Sequence, residues 1–95
     1  MRIEDAIEEV QNHNDLLGKL VDGARIDELI IAPTNAESRQ KFNRLYVDCL
    51  DPHMALLPFK DEDVEILAVL DKERIRKQSV IVFMTLDKIL KRLST

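Results

Sequence analysis

Apolar residues return at helical spacing from Ile3 to Val21. At 100° per residue Ile3, Ala6, Ile7, Val10, Leu17, Leu20 and Val21 share one broad face, with Glu4, Glu8, Glu9 and Gln11 off it. The early acids suit the positive end of a helix. Asn12-His13-Asn14-Asp15 are four poor helix formers in a row, so the helix bends there or restarts with Asn14 as its cap. Gly23 is the expected stop. The next apolar stretch, Leu29-Ile30-Ile31-Ala32, fits a short buried strand or one to two helical turns, and Pro33 ends it either way.

Thr34-Asn35-Ala36-Glu37 has the spacing of a capping box, with the Thr oxygen taking the N3 amide and the Glu reaching back. The helix it opens sets Phe42, Leu45, Tyr46 and Cys49 on one face, opposite Lys41, Arg44 and Asp48, and Asp51-Pro52 closes it. A connector with an apolar middle, Met54 to Leu57, follows. Asp61-Glu62-Asp63 then suits a helix start, and Val64 to Leu70 is apolar nearly all round, as a central helix is. Asp71 falls on that helix's apolar stripe, where Arg74 is placed to neutralise it.

From Ser79 the pattern supports two readings. As a helix, Val82, Phe83, Leu86, Ile89, Leu90 and Leu93 form a wide inward stripe. As a strand, Val80 to Met84 is a β-branched run apolar on both faces, followed by a short helix capped by Thr85. The unbroken stripe to Leu93 and its length favour the helix. The expectation is an all-α single domain over residues 1–95, a compact bundle of four to five short helices. The alternative is an α+β fold in which residues 29–32 and 80–84 pair as buried strands. In outline, though in no residue motif, the order of helices is similar to that of the death-fold interaction modules.

Composition agrees with one modest aliphatic core. The 95 residues include three Phe, one Tyr and no Trp, so stacking platforms for single-stranded nucleic acid are not available in number. Few glycines and prolines argue against a turn-rich sandwich. A single cysteine, an acidic N-terminus without an apolar signal segment, and no window near the about 20 apolar residues of a membrane span point to a soluble cytoplasmic protein. The net charge of −4 is uneven: residues 1–37 carry nine acids against three bases, and residues 38–95 eleven bases against nine acids.

Candidate chemistry is sparse. Cys49-x-Asp51-x-His53 gathers three ligand-capable side chains, but zinc sites pair two such clusters, and the other histidine, His13, is forty residues away. A core-facing cysteine at a helix end, and a satisfied histidine on the apolar face of the first helix, explain these residues more simply. No catalytic motif, metal site, cofactor or phosphate-binding loop is expected.

Two non-enzymatic readings remain. In a helix from Ser79, Val80 and Met84 fall on the back, beside Lys88 and Lys91. Arg74, Arg76 and Lys77 lie at the rim. An apolar and basic surface of that kind suits a protein partner or a second copy, as in an adaptor, an inhibitor or an immunity-type protein. The alternative is a small nucleic-acid-binding regulator that uses the basic 72–77 turn and the C-terminal helix.

Overall fold

The computed structural model describes residues 1–73 and 79–94. It is an α+β fold, which overturns the expected all-α helical bundle and, with it, the outline likeness to the death-fold modules. Four antiparallel strands in the order β1-β2-β3-β4 curl into a half-barrel, and helices cover both of its faces. In chain order the elements are α1 (Ile3–Asn12), β1 (Leu20–Val21), β2 (Ala24–Pro33), α2 (Ala36–Cys49), α3 (Pro52–Leu56), β3 (Val64–Glu73), β4 (Ser79–Thr85) and α4 (Leu86–Leu93).

The error in the helical reading has one physical source: a sheet buried on both faces does not alternate. In β3, Ile66, Ala68 and Leu70 pack into the core under α1 and α4, while Leu67 and Val69 pack into the core under α2 and α3. All five are buried, so the strand reads as a continuous apolar run, which a helix buried all round also does. β2 hides its period differently. Ala24 and Ile26 face α1 and α4, but so do Leu29 and Ile31, because a bulge between Ile26 and Glu28 shifts the phase by one residue. Residues 29–32 and 80–84 both lie in strands, yet they do not pair with each other. β3 stands between them, in register Ile31↔Ile66 on one side and Ala68↔Met84 on the other.

The first helix is shorter than its pattern suggests. α1 stops at Asn12, where the run of poor helix formers begins, and a 3₁₀ turn at Asn14–Leu16 drops Leu16 into the core. Asp22-Gly23 is a hairpin turn and not a helix stop. Val21 pairs with Ala24 across it, and both turn residues have positive φ, 51° and 81°, the requirement of the two-residue turn that Asp-Gly favours. Asn35, one residue after the expected Thr34, caps α2, its side chain accepting the Ser38 amide at 2.8 Å. Asp61–Asp63 form a 3₁₀ turn leading into β3 and not a helix start. β4 and α4 follow the strand reading of the C-terminal stretch, with Thr85 Oγ1 accepting the Lys88 amide as the helix cap.

The sheet therefore separates two cores. Ala6, Leu16, Val21, Leu86 and Ile89 close the first face, with Val10, Met84, Leu90 and Leu93 at its margin. Phe42, Tyr46 and Ala55 close the second, where the rings of Phe42, Tyr46 and Phe83 form a cluster with centroids 5.9 to 6.3 Å apart.

Candidate functional site

The sheet's two edges differ in what they present. On the outer side of β2, β1 pairs only with Arg25 and Ala24, and Gly18 and Lys19 extend the contact to Ile26. Beyond the bulge, the described residues supply no further strand. α1 lies on one face of this open edge and α3 on the other.

The geometry there is a groove. Four consecutive β2 residues, Glu28 to Ile31, line a single cavity of about 260 Å³ together with Ile7, Val10 and Gln11 of α1 and Pro52 and Leu56 of α3. Successive strand side chains point to opposite faces, so a cavity that meets four in a row sees the strand edge-on. A second cavity of about 300 Å³ continues it, bounded by Ile3, Ile7, Ile31, Leu56, Leu57 and Phe59. Ile7, Ile31 and Leu56 border both. Ile7 is 43% and Leu57 74% exposed, well beyond what a core contact needs.

Electrostatics give the groove a sign. Glu28 stands in its wall, and Glu4 and Glu8 are exposed on α1 beside Ile3 and Ile7. Glu28 Oε2 accepts a hydrogen bond from the Tyr46 hydroxyl at 2.9 Å. Burial, reinforced by that bond and by the charge of Glu28, pushes the Tyr46 phenol up to about 12. The bulge that turns Glu28 toward α2, away from the face of Ala24 and Ile26, creates this pair. At the far end, Arg39 Nε donates to the Pro33 carbonyl at 3.3 Å, and its guanidinium also pairs with Glu65.

The residues singled out from the sequence are distributed as follows. The helical back that would have joined Val80 and Met84 to Lys88 and Lys91 does not exist, because 79–85 is a strand. Met84 is half-buried and packs against the first core; Val80 is half-buried opposite Lys72. Lys88 and Lys91 are exposed on α4. Arg74, Arg76 and Lys77 lie outside the described residues; among the described residues Asp71 pairs with Arg25, at 3.7 Å. The acidic first part of the chain and the basic last helix share one face of the sheet, and Arg92 meets Asp22 at 3.2 Å.

Cys49 is exposed and not core-facing, its thiol donating to the Leu45 carbonyl at 3.0 Å. His13 is half-buried at the end of α1 and not within its apolar face, with Nδ1 3.0 Å from the Glu9 carbonyl. Among the described residues, no three His, Cys, Asp or Glu side chains gather as a metal-holding group, and no helix is long and apolar enough to cross a membrane. Sequence reasoning missed the groove. The signal that could have found it is Asp22-Gly23, which marks β2 as a strand. Comparison with protein-family models, with curated proteins and with solved structures finds no match for this chain.

Proposed function

We propose that this chain is a non-enzymatic protein-interaction module that takes an extended, apolar, basic-flanked segment of its partner onto the outer edge of β2. The observation that carries the reading is that Glu28 to Ile31, four consecutive strand residues, line one apolar groove. An added strand gains main-chain hydrogen bonds from that edge, and its alternate side chains face α1 on one side of the groove and α3 on the other. Glu28, Glu4 and Glu8 favour a lysine or arginine at the segment's polar positions. The reading puts the protein inside the cell, where a lone exposed thiol such as Cys49 stays reduced.

The test is an array of synthetic ten-residue peptides varied in apolar and basic content. Apolar peptides with a lysine or arginine are expected to bind, and binding is expected to slow amide exchange in residues 28–32. An Ile7→Asp, Leu57→Asp double variant should lose at least tenfold in affinity, with its circular dichroism and melting temperature little changed, since neither side chain belongs to the buried core. Binding that survives both changes would remove the groove from the account. The nucleic-acid alternative rests on the exposed Lys88 and Lys91 of α4. It requires salt-dependent retention on duplex DNA or RNA that a Lys88→Ala, Lys91→Ala variant loses.

A further inference from the structure

Resting on the reading of the β2 groove as a strand-binding site, we propose that it selects a four-residue pattern, three apolar residues followed by lysine or arginine, paired antiparallel to Leu29 and Ile31. Main-chain polarity sets this register. In an antiparallel ladder the N–H and C=O of one residue point together to one neighbour, and those of the next residue to the other. Ile26 points outward: its carbonyl accepts the Gly18 amide at 2.8 Å, and its amide donates to the Lys19 carbonyl at 2.9 Å. Thr34 points inward, its amide donating to the Asp63 carbonyl at 2.8 Å. Counted back from Thr34, the outward residues are Pro33, Ile31 and Leu29. Counted on from Ile26, with the bulge before Glu28 absorbing one extra residue, they are the same three.

Pro33 has no amide to give, and its carbonyl already accepts from Arg39 Nε. At the other end Gly18 and Lys19 occupy the edge. What remains for a partner is Leu29 and Ile31, two donors and two acceptors. Side chains follow the same alternation. Leu29 and Ile31 pack on the α1 side, so partner residues opposite them lie against Ile7 and Val10. The residue between them, opposite Ile30, falls against Pro52 and Leu56. All three meet an apolar wall. The next position, opposite Glu28, does not: Glu28 is the one charged side chain among the described residues that line either cavity. Its Oε2 holds the Tyr46 hydroxyl, which leaves Oε1 for a cation on the partner. Of the bases near this end, Arg25 is held by Asp27 at 3.1 Å and Asp71 at 3.7 Å, and Lys19 is exposed to water. β1 already runs antiparallel to β2 on this edge, and antiparallel pairs are the more stable per residue.

Methyl groups on the amides of a peptide test the register on the unaltered chain. In a synthetic peptide carrying Val-Ile-Val-Lys, the amides of the first and third residues donate to Ile31 and Leu29, and those of the second residue and the lysine point away. N-methylation of the first or the third residue is expected to weaken binding about tenfold, and of the second to leave it little changed. Replacing the lysine by glutamine should cost roughly threefold to fivefold with the unaltered chain and nothing with a Glu28→Gln variant. Titration calorimetry measures each affinity. Equal or reversed sensitivity to the methyl groups would overturn the register, and so would a lysine preference that survives Glu28→Gln. If this peptide fails while others bind at the groove, the pattern is wrong and the groove stands. If no peptide binds, the groove reading falls and the pattern with it.

Discussion

Tyr46 is the sole tyrosine in a chain without tryptophan, so its absorbance reports on one site. Folding holds the phenol protonated up to about 12, whereas in the unfolded chain it loses its proton near 10. Between those values the unfolded state binds fewer protons than the folded one, so stability is intact below pH 10 and falls as pH rises towards 12. A tyrosinate titration is expected to show a late midpoint. In a Glu28→Gln variant the midpoint should fall, because the neighbouring charge is gone, yet stay above 10, because burial is the largest cause. A midpoint unmoved by the substitution would mean that Glu28 does not face the phenol. None of this pairing was legible in the sequence, where Glu28 and Tyr46 stand 18 residues apart in elements of different kinds. Capping was legible to within one residue: Asn35, beside the expected Thr34, holds the Ser38 amide.

Elements were legible where one face of them meets water. α2 shows its buried Phe42 and Tyr46 at helical spacing, and Pro33 and Asp51-Pro52 end their elements as such residues must. β3 was not legible because both faces are covered, and the length of the run then favoured a helix. The C-terminal stretch shows the same conflict, since the apolar stripe counted from Val82 to Leu93 joins a strand to a helix at Thr85. Met84 separates the two readings by experiment. On a helical back, Met84→Asp would be tolerated; in β4 it sets a carboxylate against the first core. The substitution is expected to cost about 2 kcal/mol or more, a fall of roughly 10 °C in melting temperature for a domain of this size. Thermal unfolding followed by circular dichroism measures it, and an unchanged midpoint would place Met84 outside the core.

At the scale of the whole molecule, the sheet makes β3 the most protected segment. Its residues 67–71, half of the strand, are paired on both sides, and its apolar run is covered on both faces. Native-state amide exchange should therefore be slowest in residues 66–70, near the rate set by global unfolding, and faster in α1 and α3, which flank the groove. Equal protection of α3 and β3 would argue against an adaptable groove wall.

The path from β2 to β3 shapes how the protein assembles in time. Pro33 and Val64 are neighbours in the sheet, yet the 30 residues from Thr34 to Asp63 separate them in the chain. Closing a loop of that length costs about 3 kcal/mol of chain entropy before any contact repays it. β3 and β4 are joined by five residues, a far smaller closure. The β3–β4 pair should consequently form early and wait, with one long side of β3 unpaired, until α2 and α3 bring β2 home. During that wait the chain displays its most apolar strands at once, and synthesis at high concentration is where misassembly should begin.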